Sequence, residues 1–297
     1  MGYPLATDAI VHDSRSVTTS PTRPRQFDLR RLYTAAVLIP AVYTIIVHLA
    51  PWALTLLLIA VGSIALLELY RLSVQSRLNS VLVGIGLAVF ILTIARSHLS
   101  LPLPELLLGG ACALGITAVL VATSSTSRWK DPLLTMLGVL YIGLPLSTVV
   151  STRVLPSGAF LVLFLAVVTW ASDAGAYYVG TLWGKHPLMP SVSPKKTFEG
   201  LLGGLAGAIA AALLARVWFA SELSWFDAVV LGILLTLTGL VGDLFESAIK
   251  RRAGVKDSGG ILPGHGGMLD RIDSLLFTAP TFYYYIAYVR GLLPLNR

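Results

Sequence analysis

Acidic and basic side chains gather in four short stretches of the C-terminal half. Asp173 lies in TWASDAGAYYVG, and Lys195 and Lys196 lie in SPKKTFEG. Asp243, Glu246, Lys250 and Arg251 lie in GLVGDLFESAIKRR, and Lys256, Asp257, Asp270, Arg271 and Asp273 lie in GVKDSGGILPGHGGMLDRID. On a helix Asp243, Glu246 and Lys250 stand at i, i+3 and i+7 and share one face, and Asp270 and Asp273 share another. Clustered carboxylates without a multiple-cysteine or multiple-histidine pattern suit a hard, oxygen-seeking cation, magnesium first. Magnesium held by a few carboxylates completes its shell with water and phosphate oxygens, so lysines on the same side point to phosphate chemistry. A plain salt bridge explains Glu246 with Lys250 but not the other acids. Gly264, Gly266 and Gly267 of PGHGG do not form a Walker loop; they read as a tight turn that lets backbone approach a ligand. His265 between them is a hydrogen-bonding group first and a catalyst second.

The elements that must position these residues are membrane helices. Of 297 residues, 55% are hydrophobic and only 12% charged, against roughly a quarter charged in a soluble domain. The chain is therefore predicted to be an all-α, polytopic integral membrane protein. Spans of about 20 apolar residues fall at roughly 32–50, 52–70, 81–97, 105–123, 133–151, 159–182, 200–220, 227–249 and 274–290, giving about nine transmembrane helices. With the N-terminus cytoplasmic, 17 of the 22 Lys and Arg residues fall on the inside, as the positive-inside rule requires. The net charge of +7 is then explained by topology, and no nucleic-acid partner is needed. Residues 1–31, polar and rich in Ser, Thr, Pro and Arg, read as a disordered cytoplasmic tail. Residues 32–151 read as N-terminal transmembrane helices, and 152–297 as a catalytic transmembrane region with cytoplasmic loops 183–199 and 250–273. The lone Cys112, inside an apolar run, reads as a core residue. Ser193 and Pro194 resemble the start of a glycine-rich helix, whose N-terminus would favour phosphate. Asp227, at the opposite membrane face, is expected to be nearly silent when neutralised.

The string SAIKRRAGVKDSGGILPGHGGMLDRIDS resembles the signature of phosphatidate cytidylyltransferases, the CDP-diacylglycerol synthases, and Ser247 through Asp273 match it without a gap. SDAGAYYVG, SPKKTFEG and the Gly242–Asp243 pair add support, ELYR (68–71) and LYIG (140–143) more weakly, and Ala174 departs mildly from the common pattern. The resemblance implies that CTP and phosphatidic acid give CDP-diacylglycerol and pyrophosphate, on the cytoplasmic side of a bacterial-type inner membrane. It makes Asp243 and Asp270 the first choice as metal ligands, with Asp173, Glu246 and Asp273 as ligands or their neighbours. Lys195, Lys196, Lys250, Arg251, Lys256 and Arg271 become phosphate partners, and Asp257 and His265 join the catalytic set. Gly264, Gly266 and Gly267 supply the ligand-binding turn. The cofactor is Mg2+, with a second cation and a homodimer left open.

Two other classes share some of these features. A secondary transporter also keeps acids and broken, glycine-rich helices, but here the acids gather with lysines at one face and no inverted repeat is visible. A CTP-dependent lipid kinase would release CDP instead of pyrophosphate. The charge distribution predicts that a cysteine at Ser191 reacts with an impermeant reagent only from the cytoplasmic side. Labelling from outside intact cells would overturn the topology.

Overall fold

The computed structural model describes residues 29–73, 80–99, 110, 130–259 and 266–291. Helix α1 (Leu29–Val47) turns at His48–Ala50 into α2 (Pro51–Ser73), whose first residue is a proline, the residue that loses no hydrogen bond there. Helix α3 (Ser80–Leu99) follows. Helix α4 (Lys130–Gly138) passes through a π-helical segment, Val139–Gly143, into α5 (Leu144–Arg153). Pro145 lacks the N–H that a regular helix would use at this point, and the widened turn precedes it directly. Next come α6 (Gly158–Trp183), strands β1 (Pro187–Met189) and β2 (Ser193–Thr197), α7 (Phe198–Trp218) and α8 (Trp225–Arg252). Helix α9 (Leu269–Tyr284) continues into a π-helical turn, Tyr285–Val289. Residues 1–40 and 41–297 form separate units, and the packing described below belongs to the second.

Six helical stretches among the described residues are long and apolar enough to cross a membrane: Pro51–Leu72, Ser80–Leu99, Asp131–Arg153, Gly158–Trp183, Phe198–Trp218 and Trp225–Arg252. They coincide with six of the expected spans. The first expected span falls in α1, where Leu38–Val47 is a shorter apolar helix. The fourth, with Cys112, lies outside the described residues apart from Gly110, as does most of the N-terminal tail. The ninth is α9, which is only 16 residues long and opens with Asp270, Arg271 and Asp273. Large apolar side chains face outward along the bundle, among them Leu182, Leu202, Leu214 and Val217. Trp218, Trp225, Phe226 and Tyr288 are exposed together at one end, as an aromatic belt at a membrane interface requires.

Small residues decide how closely the site-bearing helices approach. Gly200, Gly203, Gly204 and Gly207 of α7 lie against α6; a Cβ at Gly207 would sit 2.8 Å from the carbonyl oxygen of Ala171, and one at Gly204 3.1 Å from that of Ser172. This is close small-residue packing of membrane helices. Between α8 and α9 a Cβ at Gly242 would meet the Asp273 carbonyl oxygen at 2.5 Å and Phe277 at 3.0 Å. The two backbones thus touch beside Asp243 and Asp273.

One expectation is corrected here. Helix α7 does not start at Ser193–Pro194, because those residues pair with β1, Pro187 opposite Thr197 and Met189 opposite Ser193. Thr197 is the N-cap, and its hydroxyl accepts the Gly200 N–H at 3.1 Å. Glu199 in the first turn accepts Lys185 N–H at 3.1 Å and His186 N–H at 3.3 Å and contacts the His186 ring at 2.6 Å, which closes the hairpin base. Asp227, expected to be nearly silent in turnover, has a structural role. It is 3% exposed, forms a capping box with Ser224, accepts the Tyr285 hydroxyl at 2.8 Å and pairs with Arg290 at 3.3 Å. Neutralising it removes the charge that Arg290 and two hydroxyls are arranged around. Asp227→Asn is therefore predicted to cost about 1–3 kcal/mol of stability, read as a lower melting temperature in detergent, with unchanged turnover per folded molecule. A wild-type melting temperature would contradict this.

Candidate functional site

Three helices and one strand deliver charged side chains to a single cavity of about 410 Å³. Asp173 comes from α6, Lys195 and Lys196 from β2, Asp243 and Lys250 from α8, and Asp270 and Asp273 from α9. Ser172 and Thr236, hydrogen-bonded at 3.1 Å, line the same cavity deeper between α6 and α8. Seven of the charged residues singled out from sequence, on four separate stretches, thus line one cavity.

Two of the lysines lining the cavity are set against carboxylates. Lys196 pairs with Asp243. Lys250 Nζ lies 2.5 Å from Glu246 Oε2 and 2.5 Å from Asp270 Oδ1, with the Glu246 side chain wholly buried and the other two 13% exposed. Two buried carboxylates side by side would repel strongly; a shared ammonium makes their proximity tolerable. Asp273 accepts the N–H of Ser274 at 2.7 Å and lies within electrostatic reach of Asp243 and Asp173.

The second oxygen of Asp270 organises the polar loop between α8 and α9. Asp270 Oδ2 accepts Ser258 N–H at 3.1 Å, Ser258 Oγ–H at 2.9 Å and Gly267 N–H at 2.8 Å. Gly266 has φ +77°, in the left-handed region that only glycine enters without strain. Gly264 and His265 lie outside the described residues. Arg251, Lys256 and Asp257 are exposed and line neither this cavity nor the next; Arg251 donates to the carbonyl of Val255 at 3.3 Å.

A second cavity, of about 370 Å³, meets the first at Asp173, Asp270, Asp273 and Ser274. Its walls are apolar: Leu54, Leu57 and Leu58 of α2, and Val162, Leu165 and Ala166 of α6, are among them. Arg271, an exposed residue, stands at its polar end. An apolar groove and a polar cavity therefore share a carboxylate wall.

Sequence reasoning noted ELYR (68–71) but gave no role to its Glu68 of α2, which belongs to the site's framework although it lies outside the C-terminal half. It is 1% exposed, and its Oε2 accepts Leu269 N–H at 2.9 Å. The available signal was a carboxylate inside an otherwise apolar run, which membranes keep only for a reason.

The donor chemistry fits magnesium in part. Asp173, Asp243, Asp270 and Asp273 offer hard oxygens to one cavity. Among the described residues no three acidic, histidine or cysteine side chains are grouped as a complete ligand set, so water or phosphate oxygens would have to finish the shell.

Removing the shared ammonium leaves Glu246 and Asp270 buried without a cation. Lys250→Met is predicted to cost about 3–5 kcal/mol, and adding Glu246→Gln should recover much of that loss in thermal unfolding while activity stays low. Equal melting temperatures for wild type and Lys250→Met would contradict this reading of the triad.

The chain is similar to known proteins over its whole helical part. The cytidylyltransferase family model matches residues 29–289. A phosphatidate cytidylyltransferase of Bacillus subtilis (strain 168) is 33% identical over 265 residues, covering 88% of this chain and 98% of that protein. A phosphatidate cytidylyltransferase of Staphylococcus saprophyticus is 39% identical over 160 residues, 54% of this chain and 61% of the relative. The Escherichia coli (strain K12) protein YnbB, named as uncharacterized, is 47% identical over 137 residues, 46% of each chain. Since the match runs from α1 through the π-helical turn after α9 and takes in every element of the cavity, the chain belongs to the cytidylyltransferase family.

Proposed function

We propose that this chain is a phosphatidate cytidylyltransferase working at the cytoplasmic face of a bacterial plasma membrane. A phosphate oxygen of phosphatidic acid attacks the α-phosphorus of CTP, the bond to the bridging oxygen of the β-phosphate breaks, and pyrophosphate leaves. The observation that carries this reading is the shared wall: a lysine-edged polar cavity and an apolar groove meet at Asp173, Asp270 and Asp273. A water-soluble nucleotide and a lipid need that junction, and neither reactant alone explains both halves. The names of the Bacillus and Staphylococcus relatives support the same pair of substrates.

Phosphatidate is ionised at neutral pH, so the site needs charge neutralisation and alignment more than a general base. Lys195 and Lys196 at the cavity edge are the partners for the triphosphate, and Arg271 at the polar end of the groove is the partner for the lipid phosphate. Arg251 and Lys256, exposed on the same loop region, add positive field that draws both anions toward the surface. The groove walls take the acyl chains and leave the phosphate at the carboxylates. Magnesium would be held by Asp243 and Asp270, with Asp273 and Asp173 beside them, and when bound it supplies positive charge against the triphosphate and the departing pyrophosphate. Lys196 and Lys250 balance Asp243 and Asp270 directly and stand within the same cavity as the phosphates.

Purified protein in phosphatidate-containing vesicles with CTP is expected to release one pyrophosphate per CDP-lipid formed. Chelating divalent cations should stop turnover, and magnesium should restore it. Asp243→Asn keeps the side-chain volume and is expected to lower turnover by on the order of 10²-fold with folding intact. CDP as the released nucleotide, or a folded Asp243→Asn protein at wild-type turnover, would overturn the assignment it bears on.

A further inference from the structure

The N-terminus of α9 is capped by a residue from another helix. Met268, the N-cap, has no side chain that can accept a hydrogen bond, so the first N–H groups of α9 need a partner from elsewhere. Glu68 Oε2 accepts Leu269 N–H at 2.9 Å and lies 3.3 Å from Ser258 Oγ, whose one proton it shares with Asp270 Oδ2 at 2.9 Å. The neighbouring chain is shaped around this carboxylate. A Cβ at Gly267 would sit 2.7 Å from Glu68 Oε2, and Gly259 leaves no room for a Cβ beside Glu68 Oε1. Asp270 Oδ2 binds Ser258 and Gly267 as well. The two carboxylates therefore grip both described ends of the polar loop, one from within α9 and one from the N-terminal part of the protein.

We propose that Glu68 is a positioning residue for the transfer reaction: it fixes the α9 N-terminus and the loop ends around Ser258 and Gly267, and through them the orientation of Asp270 and Asp273 in the cavity. Glu68 lines neither cavity and touches no reactant; its effect passes through the backbone it holds. Leu54, Leu57 and Leu58, about three to four turns earlier on the same helix, line the apolar part of the groove, so that wall does not depend on Glu68. The inference rests on the cytidylyltransfer reading for its kinetic consequence but not for its structural one.

The test compares Glu68→Ala and Glu68→Gln in the full chain, reconstituted with CTP and phosphatidate. Gln keeps an acceptor for Leu269 N–H; Ala keeps none. Glu68→Ala is expected to lose about 10²-fold in kcat, the scale of a misplaced reacting group. Glu68→Gln is expected to recover most of the turnover. Hydrogen exchange in peptides spanning residues 254–259 and 266–269 should quicken in the Ala variant and stay near wild type in the Gln variant. Wild-type kcat and exchange in Glu68→Ala would overturn the proposal, as would a Gln variant as impaired as Ala. Absence of CTP-dependent turnover in the wild type would instead refute the assigned reaction, while the exchange comparison would still decide the clamp.

Discussion

The ammonium of Lys250 lies between two carboxylates that could not otherwise share one buried corner. Glu246 is on the same helix one turn away, and Asp270 is on the next helix, so the ion triad ties α8 to α9 at the point where the chain leaves the membrane for its polar loop. Close approach is possible because Gly242 removes the side chain that would hold the helices apart. Once Asp270 is fixed, its other oxygen gathers Ser258 and Gly267, and Asp273, three residues later, is turned toward Asp243. The cavity's acidic wall is thus a consequence of balancing charge where burial makes imbalance costly.

Much of this was legible in the sequence because charge is conspicuous in an apolar chain. Asp173, Lys195, Lys196, Asp243, Lys250, Asp270 and Asp273 stand out against their surroundings, and the structure brings them to one cavity. Helical spacing alone put Asp243, Glu246 and Lys250 on one face. The hairpin was not legible, since Pro187–Met189 is too short to show a strand pattern and the pairing that claims Ser193–Thr197 is made at the level of backbone. The structural partners of Asp227 were not legible either, because Tyr285 and Arg290, which close over it, are remote in sequence. The role of Glu68 was not legible, because its partners, the Leu269 N–H and the Ser258 hydroxyl, lie some two hundred residues away and a backbone donor leaves no trace in residue types.

The shared wall between the two cavities gives the architecture its chemical sense. A lipid phosphate and a nucleotide triphosphate repel each other in water and never meet in hydrocarbon. In the proposed reaction, lysines at one edge, Arg271 at the other and carboxylates between them would bring both anions to one place without placing either wholly inside the membrane. Helix α2 is then part of the same framework, because it supplies both the leucines of the apolar groove and the carboxylate that caps α9.

The claim that the apolar groove receives the lipid is tested most directly with phosphatidate carrying a photoreactive diazirine in its acyl chain, followed by mapping of the cross-linked residues. The groove account predicts labels on α2 and α6 near Leu54, Leu57, Leu58, Val162 and Leu165, competed by unlabelled phosphatidate and retained in the presence of CTP. Labels confined to the outward faces of α7 and α8, with none in the groove, would contradict it.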